Sequence, residues 1–303
     1  MYRIELGKSG LSVPTVAVGC MRISQMTEKE IAGFVDTCLE QEANFFDHAD
    51  IYGDGESEIV FGKAVRNMRE KVIIQSKCGI VKGKMFDFSY DHIMDSVDGS
   101  LKRLGTDYLD VLLLHRPDAL MEPEEVAKAF GELKASGKVR HFGVSNQNPC
   151  QMQLLQSCLD MPLCANQLQF SIMHAPMIQS GINVNMYNES AVNRDGGVLD
   201  YCRLNQITIQ TWSPMQFGFF EGCFVDHEKF PELNRVLGEL AEKYGVSKTA
   251  IAIAWILRHP AKMQPVTGTT NLTRLKDSLR AAQIRLSREE WYAVYMAAGN
   301  QLP

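Results

Sequence analysis

The segment FFDHADIYG, Phe45 to Gly53, places two aspartates, a histidine and a tyrosine within six positions, directly after two phenylalanines. Further on, the apolar run KVIIQSK ends in Lys77 and the run YLDVLLLH ends in His115. Ionisable groups at the ends of such runs need partners, because burying one alone is costly. Asp47, Tyr52, Lys77 and His115, brought to one mouth, would form a proton-transfer unit. A free tyrosine, with a pKa of about 10, is a poor acid near neutrality. A neighbouring ammonium favours its phenolate and lowers that pKa. Asp47 would hold Lys77 charged and oriented, and His115 could donate a hydrogen bond to a carbonyl oxygen. Such a set polarises a carbonyl and hands a proton to the developing alkoxide.

Elements of one kind, repeated, must carry these residues. Short β-branched apolar runs alternate with longer segments of helical period. The strand candidates are PTVAVGC, ANFFDHA, KVIIQSK, YLDVLLLH, VRHFGVSN, LCANQLQF, ITIQTWSP and MQPVTGTT. They are mostly apolar rather than strictly alternating, as strands of a parallel sheet covered on both faces are. In SYDHIMDSVDGSLKRLG, Ile93, Val97, Leu101 and Leu104 form one stripe, Ser89 or Asp91 can cap the start, and Gly105 ends it. MEPEEVAKAFGELKASGK carries acids in its first turn and Gly137 at its end. AIAIAWIL alternates like a strand but is read as a buried helix from its flanks. Eight strands alternating with helices, without a composition break, predict an α/β fold: one (β/α)8 TIM barrel over residues 1–303, with extra C-terminal helices. YRIELGKSGLSV predicts an N-terminal β-hairpin covering one end. Segments 171–196 and 216–230 are irregular, and loops of such length are often functional. In this fold active sites lie at the C-terminal ends of the strands, where Asp47, Lys77 and His115 fall.

Composition narrows the rest. Of 303 residues, 45% are hydrophobic and 22% charged, an ordinary globular profile. A formal charge of −5 gives no reason to expect nucleic acid or an anionic membrane as partner. The eight cysteines form no C-x-x-C pair and no zinc-spaced cluster with histidine, so no metal is expected and reduced thiols point to the cytoplasm. MYRIELGKSG lacks the apolar core of a signal peptide, and no apolar run reaches the roughly 18 residues of a membrane span. GDGESE lacks the spacing of a dinucleotide fingerprint, which excludes a Rossmann domain. By strand alternation His48 points away from Asp47. His92, His227 and His259 are read as solvent-facing, and His174 as a residue that could line a substrate pocket.

The order and spacing of these motifs resemble the aldo-keto reductases over nearly the whole chain. FFDHADIYG matches that family's aspartate-to-tyrosine segment, IIQSK its lysine strand and LLLHRPD its histidine strand. Within the family the chain resembles bacterial oxidoreductases that share DHADIYG, SKCGI and HRPD. The resemblance implies a tetrad of Asp47, Tyr52, Lys77 and His115, a small carbonyl substrate, and NADP(H) lying extended across the barrel mouth. It implies cofactor contacts from Met21, Arg22, Asp47, Ser145, Asn146 and Gln167, from Trp212, Ser213, Pro214 and Met215, and from Gly268, Thr269, Thr270, Arg274 and Ser278. Relatives with glutamate at the position of His115 reduce carbon–carbon double bonds, so histidine implies carbonyl chemistry. Trp212 replaces a tyrosine that stacks on the nicotinamide, and keeps an aromatic face. Gly268 stands where many relatives have a phosphate-binding lysine, so a real but reduced preference for NADPH is expected. Each residue alone has a bland reading: His115 a structural histidine, Lys77 with Asp47 a structural ion pair, Tyr52 a strand-end cap. Two other functional classes are a cofactor-holding redox sensor and a metal-dependent hydrolase on the same fold. The second would want several converging histidines, and the strand ends offer one.

Overall fold

In the computed structural model, which describes residues 2–303, eight parallel strands close into a barrel in sequence order. They are Ala17–Gly19, Phe45–Asp47, Ile73–Cys78, Leu109–Leu114, Val139–Ser145, Leu163–Gln169, Thr208–Trp212 and Gln264–Thr267. Each predicted apolar run matches one of them, the third strand running one residue further to Cys78. Phe45–Asp47, Ile73–Cys78 and Leu109–Leu114 are buried at every position, as the lack of alternation required.

The period of two nevertheless sorts side chains into two layers. Phe45, Ile73, Val111, Leu113, Ala165 and Val266 pack inside the barrel with Leu6 and Val13 of the N-terminal hairpin. Phe46, Ile74, Leu112, Leu114, Phe142 and Ile209 face the helices and join the larger outer core. Asp47 therefore points inward with Phe45, Lys77 with Ile73, and His115 continues the inward face of Val111 and Leu113. The hairpin, Arg3–Glu5 paired antiparallel with Ser12–Pro14, closes the N-terminal end. The Gly7 amide donates to Thr208 Oγ1 at 2.8 Å and the Gln264 amide donates to the Pro14 carbonyl at 2.6 Å, tying it to the seventh and eighth strands.

The helices follow their sequence signals. Ser89 caps Tyr90–Leu104, whose stripe of Ile93, Val97, Leu101 and Leu104 is buried, and Gly105 ends it at φ 64°. AIAIAWIL lies within the helix Lys248–Leu257, where Ala250 through Ile256 are all buried. A C-terminal helix, Arg288–Ala297, docks on it. Trp255 and Trp291 stack with centroids 4.8 Å apart, and each indole N–H donates to the other's backbone carbonyl at 3.0 Å.

The segments read as irregular contain local order. Pro176–Ile182 is a short helix, started by proline in its first turn, and a 3-10 turn spans Glu189–Ala191. Gln216–Phe217 pairs with Gly222–Cys223, and a further hairpin, Ile80–Val81 with Met85–Phe86, follows the third barrel strand. These pairings are two residues long, too short to give an apolar period. Three histidines expected in solvent are half-buried. His92 contacts Ser96, His227 packs edge-on against Phe217, and the His259 ring accepts the Ala261 amide, with burial pushing His259 down to about 4. Among the described residues, no helix is long and apolar enough to cross a membrane.

Close packing of two helices makes one position testable. A Cβ on Gly62, in the helix Glu56–Val65, would lie 2.3 Å from the Leu104 carbonyl oxygen. Gly131, inside the helix Pro123–Ala135, has open space around it. Gly62→Ala should destabilise the protein by about 1–3 kcal/mol through overpacking. Gly131→Ala should stabilise by roughly 0.5–1 kcal/mol through helix propensity. Denaturant unfolding of both variants checks this, and equal midpoints would refute the close approach.

Candidate active site

After Asp47 the chain leaves the barrel in steps held by the third strand. The His48 amide donates to Gln75 O at 2.8 Å and the Asp50 amide to Lys77 O at 3.1 Å. Gly53, Asp54 and Gly55 then adopt φ of 58°, 56° and 93°, a left-handed run that turns the chain into the helix Glu56–Val65. A Cβ on Gly53 would meet Ser24 Cβ at 2.6 Å, so glycine is required there both for its φ and for space. This turn sets Tyr52 at the mouth, with its amide on Ala49 O at 3.1 Å.

The four residues meet as expected. Lys77 Nζ lies 2.7 Å from Asp47 Oδ1, 2.7 Å from the His48 carbonyl and 3.3 Å from the Tyr52 hydroxyl. An ammonium has three N–H donors, and each has an acceptor. The Tyr52 and His115 rings meet edge-on with centroids 5.9 Å apart. Burial pulls the Lys77 ammonium down, but Asp47 and Tyr52 outweigh it and leave its pKa raised. Burial raises the Tyr52 hydroxyl, and the Lys77 charge offsets that only in part, so the net shift is upward. The lowering expected of the lysine is present but smaller than the desolvation. For His115, burial, then Lys77 and Arg116, hold the ring neutral, well below its ordinary value. A neutral imidazole keeps one N–H to donate, and the His115 Nδ1 is buried without a partner.

Beneath the four lies a layer of amides of which the sequence reading named only Gln167, and that as a cofactor contact. Gln75 Nε2 and Gln167 Nε2 both donate to Asp47 Oδ1, at 2.5 and 3.1 Å. Both also donate to Gln210 Oε1, at 2.9 and 3.2 Å. Gln210 Nε2 donates to Gln264 Oε1 at 2.9 Å, and Gln264 donates to Pro14 O. A backbone carbonyl can only accept, which orients Gln264, then Gln210, and so aims two N–H groups at Asp47. The signal for this layer was glutamine in four apolar strands, at Gln75, Gln167, Gln210 and Gln264.

The residues carried over as cofactor contacts fall on the same rim. Arg22 Nη1 donates to Gly268 O at 3.1 Å, and Met21 beside it is exposed. Asn146, at φ 58°, donates to Ser145 Oγ at 2.7 Å and accepts the Trp212 indole N–H at 3.0 Å. Ser145 Oγ donates to Gln167 O, and the Gln167 side chain points into the amide layer. Ser213, at φ 53°, turns the chain after the seventh strand into Pro214 and Met215. Gly268, Thr269 and Thr270 are half-buried after the eighth strand, and Asn271 caps the helix Leu272–Arg280 by accepting the Arg274 amide at 3.0 Å. The Arg274 side chain is exposed, whereas Ser278 is buried and donates to Arg274 O. His48 faces outward onto Phe61, with centroids 4.5 Å apart, and burial pushes it down to about 3. His174 is half-buried in the segment after the sixth strand and bridges to Ser171. Among the described residues, no three His, Cys, Asp or Glu side chains gather as they would to hold a metal ion.

The barrel agrees with comparison to known proteins. The profile of the Aldo/keto reductase family matches residues 15–297. The 6-dehydroglucose reductase of Agrobacterium fabrum (strain C58) is 34% identical over the full length of both chains. Oxidoreductase YdhF of Escherichia coli (strain K12) is 33% identical, again over the full length of both. The solved structure of the thermostable aldo-keto reductase Tm1743, in complex with the inhibitor epalrestat, superposes with a TM-score of 0.80 at 26% identity, covering 98% of this chain and 100% of that one. An aldo-keto reductase from Klebsiella pneumoniae, solved in complex with NADPH, shares the fold with a TM-score of 0.79 at 23% identity, covering 100% of this chain and 98% of that one. The chain belongs to the aldo/keto reductase family, and is an oxidoreductase of that family.

Proposed function

We propose that this chain is an NADP(H)-dependent carbonyl reductase, converting an aldehyde or ketone to the alcohol, with Tyr52 as the proton donor. The observation that carries the reading is the fully buried Lys77 ammonium, bonded at once to Asp47 and to the Tyr52 hydroxyl. A structural ion pair alone would not need a tyrosine as a third acceptor. The rim suits a dinucleotide phosphate. Arg274 is exposed in the first turn of the helix Leu272–Arg280, where the dipole favours an anion, and the Trp212 indole is half-buried. When bound, the nicotinamide supplies the hydride to the carbonyl carbon. The carbonyl oxygen takes its hydrogen bond from neutral His115 and its proton from the Tyr52 hydroxyl. Lys77 stabilises the phenolate left behind, and Asp47 keeps Lys77 charged and aimed. Solvent returns the proton to Tyr52. The relative 34% identical to this chain is named for reducing 6-dehydroglucose, which is in keeping with a carbonyl substrate.

Removing a positioned general acid commonly lowers the rate about 10²–10⁴-fold. Tyr52→Phe should lose activity in that range toward a small aldehyde while NADPH still binds, followed by nicotinamide absorbance and by titration. Unchanged kcat would overturn the assignment. A wild-type chain that binds NADPH but turns over no carbonyl would favour the redox-sensor class instead.

Arg274 is the candidate reader of the 2′-phosphate, acting without the lysine that Gly268 replaces. One charge-assisted contact is worth roughly 1.5–3 kcal/mol. Arg274→Ala should therefore raise KM for NADPH by about one to two orders of magnitude and leave KM for NADH little changed. Equal effects on both cofactors, or a wild-type preference for NADH, would show that Arg274 does not read the phosphate.

A further inference from the structure

Arg116 directly follows His115 at the C-terminal end of the fourth strand, beyond Leu114. Its guanidinium stands 5.4 Å from the centre of the Trp212 ring, across the mouth from its own strand. It is half-buried, and among the described residues it has neither an ion-pair nor a hydrogen-bond partner. The nearby carboxylates are engaged elsewhere. Asp47 is paired with Lys77, and Asp118 accepts the Phe88 and Leu120 amides, each at 2.9 Å. Arg69 and Arg103, which are also half-buried, each meet a carboxylate. Burial pulls Arg116 below the ordinary arginine range, and the Tyr52 oxygen is the one group that offsets this. The cation thus stands against the Trp212 indole at the C-terminal end of the strands, with its donors open.

We propose that Arg116 is a specificity-determining residue, and that the preferred substrate is a carbonyl compound carrying a carboxylate a few bonds from its carbonyl carbon. The inference rests on the carbonyl-reductase reading above and adds the substrate class. With the carbonyl oxygen between Tyr52 and His115, a carboxylate on the same small molecule lies on the side of Arg116, whose planar fork matches it. Phe219 and Phe220 stand against the same indole, with centroids 6.3 and 5.9 Å from it, and both are exposed. They suit an apolar body between the two polar ends. A cofactor phosphate is a poorer partner, because the group Arg116 stands against is the Trp212 indole rather than the residues at 268–274.

The test compares matched substrates with NADPH present: 2-carboxybenzaldehyde against benzaldehyde, and succinic semialdehyde against butanal. A charge-assisted contact predicts that wild type favours the carboxylated member of each pair by roughly 10–100-fold in kcat/KM. In Arg116→Gln that ratio should collapse toward one, mainly through KM, and Arg116→Lys should keep part of it. Calorimetric binding of benzoate to the NADP⁺-loaded enzyme, weakened by salt and lost in Arg116→Gln, gives a readout independent of turnover. Equal turnover of both members by wild type, or an unchanged ratio in Arg116→Gln, overturns the proposal while the reductase reading stands. A higher KM for NADPH with the ratio unchanged would assign Arg116 to the cofactor and also overturn it. If no carbonyl is reduced, the reductase reading fails, and benzoate binding alone decides whether Arg116 takes a carboxylate.

Discussion

The structure depends on one buried ammonium. Lys77 is inaccessible to solvent, and its charge is tolerable only because Asp47, the His48 carbonyl and the Tyr52 hydroxyl take its three protons. Desolvating two ions costs more than an isolated pair recovers unless the remaining lone pairs and protons are also satisfied. Here they are. Lys77 completes its shell with a backbone carbonyl, and Asp47 Oδ1 accepts from Gln75 and Gln167. The registers that align Asp47 with Gln75, and Lys77 with Leu113, fix these atoms relative to one another through backbone hydrogen bonds. Moving any of these strands by one residue would turn the charge outward into the apolar layer beneath the helices.

The amide layer extends this constraint to the far end of the barrel. Its direction is set at Pro14, in a hairpin that otherwise only plugs the barrel. From there each glutamine has one workable orientation, and the final pair of N–H groups converges on the carboxylate. The hairpin thus contributes to the electrostatics of a site at the opposite end of the barrel. Tyr52 is held differently, by a left-handed turn of Gly53, Asp54 and Gly55 rather than by a strand. A rigid cation and a loop-borne hydroxyl suit a group that must give up a proton and recover it.

Much of this was legible in the sequence because each signal had a physical cause. The eight strands were visible as apolar runs of the right length, and AIAIAWIL was separated from a strand only by its flanks. Asp47, Lys77 and His115 stood out as charges at run ends, where a barrel places its chemistry. The short hairpins were not legible, since two paired residues carry no period. The amide layer was missed because a glutamine within an apolar strand carries no charge, and its meaning lies in three other strands. Arg116 was hidden by its neighbour: next to a histidine already assigned a role, it read as part of a motif. The net pKa of Tyr52 also escaped, because the sequence announces a lysine nearby but not the depth of burial that outweighs it.

The central claim is that Lys77 is charged inside the barrel because Asp47 holds it so. The direct measurement is a pH titration of the Lys77 side-chain Cε resonance by carbon-13 NMR, on the wild-type protein and on Asp47→Asn. The account predicts a wild-type resonance that keeps its charged position to higher pH than that of an ordinary lysine, whose pKa is about 10.4. In Asp47→Asn, burial is no longer outweighed, and the proton should leave below the ordinary lysine range. A wild-type Lys77 that is neutral near pH 7, or one whose titration is the same with and without the Asp47 carboxylate, would contradict the account.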